Sequence, residues 1–427
     1  MAVPVLSAML FTPLVGALLL LVVPRERIGL IRWLGAITAF LVLLLTGYVW
    51  WFVARSDPGE MQLVENVAWI PGLNMRYTVG VDGLSAPMVF LAGLLTMLSL
   101  FYSGFTVTER VKEYYLLFLL LETGMLGVFL SLDLILFYVF WEVGLVPMFL
   151  LIGVWGGERR EYAAIKFFIY TLAGSVFGLL GILAVHFQTG TFNVLDAAAA
   201  APFADNPTWA TLAFWALFVA FAIKIPVFPF HTWLPDAHTE APTTGSVILA
   251  GILLKLGAYG MMRVALPLFP ERFYYFSVEV PIITVMALMS IVYGALVCLA
   301  QWDLKRLVAY SSVAHMGYVT LGLVAAAAAW HGLSGSDGGM FDAAAAGLNG
   351  AALQQFSHGI VTGAMFFLVG MIYQRTHTRE LKAFGGLASV VPTYYGITMV
   401  IAFASLGLPG LIGFWSELFV FRGAIRL

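Results

Sequence analysis

The chain has 427 residues, of which 61% are hydrophobic and 10% are charged, and its formal net charge is −2 at pH 7. A soluble domain carries about 25% charged residues, so this composition predicts an integral membrane protein. The charge balance and the absence of a basic stripe give no indication of nucleic-acid binding. The single cysteine, Cys298, excludes an intrachain disulfide, an iron–sulfur cluster and a cysteine-ligated zinc site within this chain.

Twelve apolar runs are long enough to cross a bilayer as α-helices. They lie near residues 3–23, 29–52, 83–104, 114–131, 133–154, 163–186, 208–234, 243–265, 279–301, 304–329, 350–373 and 390–420. The first run lacks a charged n-region and a cleavage site, so it is interpreted as a membrane span. The expected fold is therefore an all-α membrane protein with about twelve transmembrane helices. The long connection 53–82 contains aromatic and hydrophobic residues and is expected to lie along the membrane interface.

The distribution of lysine and arginine predicts the orientation of the chain. With the N-terminus outside, thirteen basic residues fall in the inner connections: Arg25, Arg27, Arg32, Arg110, Lys112, Arg159, Arg160, Lys166, Lys305, Arg306, Arg375, Arg379 and Lys382. Only four fall in the outer connections, namely Arg55, Arg76, Arg263 and Arg272. The N-terminus is therefore expected on the periplasmic or equivalent side of a bacterial plasma membrane, or of an equivalent energy-coupling membrane.

The seventh span contains the least apolar stretch at membrane depth, FAIKIPVFPFHTWLPDAHTEAP, residues 221–242. Lys224 follows a clean apolar run, and Pro226 and Pro229 then remove backbone donors. This pattern predicts a helix that is broken near 224–235. Broken helices that carry an ionisable group at this depth usually line an ion pathway or a substrate site.

The twelfth span is interrupted in a similar way by ASLGLPGLIGFWSE, residues 404–417, which ends in Glu417. Two interrupted spans at corresponding places are typical of repeated transporter halves. The interruptions lie five spans apart, and an odd number of spans per half makes the repeats inverted.

The division predicted from these repeats has three parts. Residues 1–112 form N-terminal helices 1–3, and residues 113–265 form a first repeat of helices 4–8. Residues 279–427 form a second repeat, helices 9–12, in which the last helix is expected to be missing.

Few ionisable residues lie at membrane depth, and a charge at the centre of a lone spanning helix costs about 2.5–3.5 kcal/mol on insertion scales. They are Glu122, Glu142, His186, Lys224, Lys255, His315, His358 and Glu417. For His186 and Glu122, a structural role as a buried hydrogen-bonding group or a position near an interface remains an open alternative. For Glu142, Lys224, Lys255 and Glu417, apolar sequence on both sides favours a functional role.

Glu142 and Lys224 form a candidate proton-switching pair. A carboxylate about 4 Å from an ammonium attracts it by about 4 kcal/mol at an effective dielectric near 20. Burial disfavours the charged lysine and the carboxylate favours it, so the lysine can gain or lose a proton as the pair tightens or loosens. A permanent structural salt bridge is the alternative, and the broken helix beside Lys224 argues against it.

Lys255, His315 and His358 lie in the sequence between the two interruptions and are predicted to form a polar line through the middle of the membrane. Histidine suits a proton relay because its unperturbed pKa is near neutrality. A lone histidine in a helix is more often structural, which is the alternative for His315 and His358. His231 and His238, near the inner mouth of the seventh span, can feed protons inward or brace the broken helix, and the sequence favours neither role.

Four stretches of the chain resemble the antiporter-like subunits of respiratory complex I. They are FYVFWEVGLVPMFLLIGVWGG (137–157), FAIKIPVFPFHTWLPDAHTEAPTTGSVILAGILLKLGAYG (221–260), LKRLVAYSSVAHMGY (304–318) and GLPGLIGFWSE (407–417). Within that family Glu417 indicates one branch, because the sister subunits usually carry lysine on the second broken helix.

The resemblance implies a role for each matching residue. Glu142 and Lys224 would be the coupling pair of a first half-channel, Lys255 the link, and Glu417 the terminal proton carrier of a second. His315 and His358 would belong to the central hydrophilic axis. The family usually has fourteen spans, whereas this chain ends ten residues past Glu417, so a truncated sequence or a shortened natural subunit is expected.

The resemblance also implies the biochemical context. Family members pump protons with energy from quinone reduction by NADH, and NADH, FMN, iron–sulfur clusters and quinone are expected in partner subunits, with no redox cofactor or metal in this chain. The expected partners are other membrane-arm subunits, including the sister antiporter-like subunits, and the lipid bilayer. A subunit of a Mrp-type Na⁺/H⁺ antiporter or of a related membrane-bound hydrogenase complex is the alternative. A passive membrane scaffold does not explain the buried lysines.

Overall fold

A computed structural model describes residues 4–57, 59–332 and 338–425. The chain divides into two compact units, Met1–Ala220 and Phe221–Leu427. The division into 1–112, 113–265 and 279–427 concerns sequence repeats and stays a prediction.

The first unit consists of helices and one β-hairpin. Its elements are α1 Val5–Val22, α2 Ile28–Val53, β1 Gln62–Ile70, β2 Met75–Val81, α3 Ser85–Thr106, α4 Val111–Leu130, α5 Leu134–Val143, α6 Leu145–Trp155, α7 Arg160–Thr189, α8 Val194–Ala199 and most of α9 Pro207–Lys224. The helices are apolar along nearly their whole length, as a lipid-facing bundle requires.

The connection 53–82 contains a β-hairpin, and its location along the membrane interface stays a prediction. Strands β1 and β2 pair antiparallel, with Glu65 opposite Val79. The carboxylate of Glu65 accepts hydrogen bonds from the backbone N–H groups of Leu6 at 2.8 Å and Ser7 at 3.1 Å. These are free donors of the first turn of α1, where a negative charge is also favourable. The hairpin therefore caps α1.

Helices α4, α5 and α6 meet backbone to backbone. A Cβ atom built on Gly124 would lie 2.9 Å from the amide nitrogen of Gly144, and one on Gly127 would overlap the ring of Phe140. Asp133 begins α5 and accepts hydrogen bonds from the N–H groups of Ile135 and Leu136. This N-cap sets the start of the helix that carries Glu142.

The second unit begins in the last turn of α9. Its helices are α10 Trp233–Glu240, α11 Thr243–Ile248, α12 Leu254–Gly260, α13 Leu266–Leu268, α14 Pro270–Tyr274, α15 Ile282–Leu299, α16 Leu304–Gly332, α17 Gly338–Thr376, α18 Leu387–Val390, α19 Pro392–Ser405 and α20 Ile412–Ile425. Single π-helical turns join α11 to α12 and α12 to α13. Such turns often occur at functional sites.

Eleven helical stretches within the described residues are long and apolar enough to cross a membrane. They correspond to the first eleven predicted spans. The twelfth consists of α19 and α20, each 14 residues long, separated by 406–411. The prediction of an all-α membrane protein with two broken helices is confirmed, because both breaks fall inside the predicted ranges.

Candidate functional site

The first broken helix lies between α9 and α10, where residues 225–232 leave helical geometry. Pro226 and Pro229 lie in this segment and contribute no backbone donors. The indole Nε1 of Trp233 donates a hydrogen bond to the carbonyl oxygen of Ile223 at 2.9 Å. This bond satisfies a carbonyl that the break deprives of its helical partner.

Neighbouring helices hold the break in place. The Oγ of Ser290 on α15 accepts a hydrogen bond from the backbone N–H of Phe228 at 2.9 Å. On the other side, a Cβ atom on Gly257 of α12 would lie 2.9 Å from both the Cβ of Lys224 and the carbonyl oxygen of Phe221. Lys224 is 2% exposed, so the missing side chain at 257 leaves the space in which this lysine lies.

Lys255 on α12 is fully buried and contacts a histidine. Its Nζ donates to the carbonyl oxygen of Ala250 at 2.5 Å and lies 2.6 Å from Nδ1 of His358 on α17. Ala250 belongs to the π-helical turn Leu249–Leu253. A charged Lys255 can only donate, so Nδ1 of a neutral His358 accepts and its proton sits on Nε2.

His315 on α16 continues the line from His358 to the second broken helix. The two imidazole rings have centroids 5.5 Å apart. Nδ1 of His315 lies 3.4 Å from Oε1 of Glu417 and 3.3 Å from Nε2 of Gln354. Its Nε2 lies 3.2 Å from Oγ of Ser405.

These two neighbours of Nδ1 require opposite protonation states of His315. The carboxylate of Glu417 accepts a proton from Nδ1–H, whereas the amide of Gln354 donates to an unprotonated Nδ1. His315 can therefore pair with Glu417 in one state and with Gln354 in the other, without moving far.

A small cavity of about 10 Å³ lies among these side chains. Its lining is His315, Gln354, Ser357, His358, Val361, Ala404, Ser405, Gly413 and Glu417. A buried water needs about 10–15 Å³ and two to four polar partners. The cavity is therefore at the limit for one water between the histidines and the carboxyl group.

Glycines make the second break and admit the Glu417 side chain. Gly407 and Gly410 have φ of +70° and +95°, a region that side chains with a Cβ rarely adopt. A Cβ on Gly407 would lie 2.8 Å from Oε2 of Glu417, and one on Gly413 would lie 2.1 Å from the carbonyl oxygen of Ala404. Each of these positions needs glycine.

A hydroxyl–amide cluster connects α17 to α20 beside the cavity. Ser416 donates a short hydrogen bond to Oε1 of Gln354, and its Oγ lies 3.2 Å from that of Ser357. The bond to Oε1 turns the amide nitrogen of Gln354 towards His315.

Two basic side chains cap the C-terminal end of α10. Nζ of Lys305 donates to the carbonyl oxygen of Ala241 at 2.5 Å, and Arg379 donates to that of Thr239 at 2.7 Å. Arg379 also pairs with Asp303 at 3.1 Å. Cations at this end of a helix bind its free carbonyl groups and interact favourably with the negative end of its dipole.

The other predicted relay histidines pack against aromatic rings. His231 is buried and meets Tyr293 edge-on at 5.2 Å. His238 is fully buried and stacks on Phe366 at 4.8 Å. Within the described part of the chain, neither ring nitrogen of His238 has a hydrogen-bond partner.

The remaining candidates lie in the first unit. Glu142 on α5 is half-buried and receives a hydrogen bond from Tyr138, one turn earlier. His186, near the end of α7, stacks on Phe192 at 3.7 Å, which fits the structural alternative. Glu122 on α4 is fully buried. The structure thus brings Lys255, His358, His315 and Glu417 together within the second unit.

Sequence reasoning missed the polar neighbours Gln354, Ser405 and Ser416 of the line, and it missed Gly257 beside Lys224. Gln354 lies one turn from His358 on α17, a spacing that places both on one helix face. Ser416 precedes Glu417 directly. Uncharged polar residues are common in membrane helices, so only these spacings could have indicated them.

A membrane-spanning helical bundle with two broken helices and a line of buried ionisable side chains is typical of ion-translocating proteins. The family model described as "NADH:quinone oxidoreductase/Mrp antiporter, TM" matches residues 131–336 and 338–427. The chain belongs to this family.

Relatives that match over nearly the whole of this chain support the assignment. The chain is 44% identical to NADH-quinone oxidoreductase subunit M of Rhodobacter capsulatus, covering 99% of this chain and 80% of the relative. It is 42% identical to the subunit of that name from Rickettsia conorii, covering 99% and 83%. A chain of respiratory complex I from Thermus thermophilus superposes with a TM-score of 0.85 at 31% identity, covering 99% and 82%. The predicted resemblance is confirmed.

Proposed function

We propose that this chain translocates protons as a membrane subunit of an NADH:quinone oxidoreductase complex. The observation that carries the proposal is the line Lys255–His358–His315–Glu417, with contacts of 2.6 Å at one end and 3.4 Å at the other. Four ionisable groups in a membrane bundle are costly to bury and are retained where they move or bind ions. The membership of the chain in this family supports proton transfer.

Proton movement along the line follows from the atoms that face each other. Lys255 transfers a proton from Nζ to Nδ1 of His358, which then releases its Nε2 proton towards His315. The 5.5 Å between the ring centroids and the small adjoining cavity suit a step bridged by one water. His315 passes the proton from Nδ1 to Glu417, and with Nδ1 unprotonated it accepts from Gln354 instead.

We assign Glu142 and Lys224 to the coupling pair of the first half-channel. Tyr138 donates to Glu142, and Gly257 leaves the space for Lys224 beside α12. When the pair tightens, Lys224 holds its proton, and when it loosens, the proton can leave for Lys255. His231 and His238 lie buried along and after the broken segment and are proposed to pass protons between the aqueous side and Lys224.

We further propose that oxidation and reduction take place in other subunits. A single cysteine cannot supply the four thiolates of a usual iron–sulfur cluster. NADH, FMN, the clusters and quinone would bind partner subunits, and the sister antiporter-like subunits would flank this one. The bias of basic residues supports an N-terminus on the outer side of a bacterial plasma membrane or its equivalent.

Replacing Glu142 or Lys224 by alanine tests the coupling role. Each variant, assembled in the complete complex, is expected to lose most quinone reductase activity and proton pumping in membranes. The exposed Asp342 on α17 offers a control, because Asp342→Asn lies outside the proposed path. Full retention of both activities in the alanine variants would exclude the coupling role.

Since the family model covers Mrp antiporters as well, the pumped ion needs its own measurement. The proposed function predicts NADH-dependent acidification outside that persists without sodium. External acidification without NADH that is driven by an inward sodium gradient would instead support the antiporter alternative.

A further inference from the structure

Glu122 is a buried acidic residue that the polar line does not use. It lies on α4 in the first unit and is fully buried. Within the part of the chain that the structure describes, neither carboxyl oxygen has a hydrogen-bond partner. Buried polar groups are nearly always hydrogen-bonded to protein or to ordered water, so this carboxyl group points to a bound water or an exchanging proton.

The contacts of Tyr115, seven residues earlier on α4, show which face of the helix carries Glu122. Two helical turns put both residues on one face, about 10 Å apart along the axis. The ring of Tyr115 lies against Gly35 of α2, and its hydroxyl donates to the carbonyl oxygen of Leu100 on α3 at 2.8 Å. The face that carries Glu122 is therefore the one turned towards α2 and α3.

The same contact identifies the residue of α3 that lies at the same height as Glu122. Helices α3 and α4 are consecutive and antiparallel, so a position seven residues before Leu100 is level with Glu122. That position is Gly93, where a Cβ would lie 2.8 Å from Oγ1 of Thr46 on α2. The glycine lets α2 and α3 approach closely at the depth of the carboxyl group.

Three buried hydroxyl groups on α3 lie between this level and the end of the helix. Thr96, Ser99 and Ser103 are each 0% exposed and follow one another at about one helical turn. Ser103 donates to the carbonyl oxygen of Ser99 at 2.7 Å. The hydroxyls of Thr96 and Ser99 have no partner among the described residues. They can hold water that leads towards Glu122.

We propose that Glu122 and the α3 hydroxyls form a second, hydrated proton site in the first unit. A proton arriving from the side where α3 ends, the inner side in the proposed orientation, binds a carboxylate oxygen of Glu122 and forms an O–H bond. On release that bond breaks and the proton returns to water held by the α3 hydroxyls.

The position of this site relative to α5 suggests its use. Gly124 on the opposite side of α4 packs against Gly144, two residues from Glu142. Helix α4, about 10 Å across, therefore lies between Glu122 and the segment that carries Glu142. A charge on Glu122 opposes a charge on Glu142, so loading one site biases the other.

The inference rests on the proposed proton translocation and is tested with Glu122→Gln in the complete complex. Glutamine keeps the size and the hydrogen-bonding capacity, so a purely structural role would be preserved. The infrared difference spectrum between the resting and the NADH-driven complex is expected to lose one carboxylic-acid C=O band. Fewer protons are expected per quinone reduced, and Ser99→Ala is expected to slow the appearance of the band.

Thr123→Val is the matched control, because the neighbouring Thr123 hydroxyl donates within its own helix to Leu119 at 3.0 Å. It should leave the spectrum and the proton ratio unchanged. A Glu122→Gln complex with the native spectrum and native ratio would overturn the inference. If Glu142→Ala still abolishes pumping in that case, the proposed function stands and only the second site is rejected.

Discussion

Replacing Glu417 by glutamine should stop proton transfer at the end of the polar line. The change removes the negative charge but keeps the shape of the side chain in the space left by Gly407. Nδ1 of His315 and Oε1 of Glu417 are 3.4 Å apart, and charges at this distance attract by about 5 kcal/mol at an effective dielectric near 20.

The net effect is smaller than this attraction, because both groups also lose hydration when buried. We expect at least about a tenfold fall in the rate of pumping, which corresponds to about 1.4 kcal/mol. The introduced amide can accept a hydrogen bond from Nδ1 of His315 but, unlike a carboxylate, cannot take up its proton.

The assay is NADH oxidation and internal or external pH change in vesicles that contain the complete complex. The exposed Glu380 gives the matched control, since Glu380→Gln removes a carboxylate outside the line and should leave both rates unchanged. A Glu417→Gln complex that pumps the native number of protons per NADH at the native rate would refute the reasoning.

Two further substitutions test how the breaks are built. Gly407 has φ +70°, and a Cβ there would lie 2.8 Å from Oε2 of Glu417. Gly407→Ala should therefore cost about 1–2 kcal/mol in backbone strain, measured by thermal unfolding, and lower the proton ratio by displacing the carboxyl group. Native values of both quantities would contradict this prediction. Trp233→Phe should lower the free energy of unfolding by about 1–3 kcal/mol, because the carbonyl of Ile223 loses its donor. The control in thermal unfolding is Trp209→Phe at an exposed position. Equal stability of the two variants would be inconsistent with this role of Trp233.

The sequence predicted the broken helices well because their causes are local. Pro226 and Pro229 lack backbone donors whatever surrounds them, and Gly407 and Gly410 adopt positive φ at little steric cost. The hairpin at β1 and β2 was missed, since the segment reads as an apolar interfacial stretch. Its partner, the first turn of α1, lies about sixty residues away in the chain.

The sequence by itself determined the membrane character, the spans and the set of costly ionisable residues, because hydrophobicity and charge are properties of single residues. Only the tertiary structure decided which of them meet. Lys255, His315, His358 and Glu417 lie on four separate helices, and the rotation of each helix sets the direction of its side chain. Helix rotation also places His186 against an aromatic ring and Glu122 on the face towards α3. Both residues have apolar neighbours in the sequence, so the sequence alone could not predict these different environments.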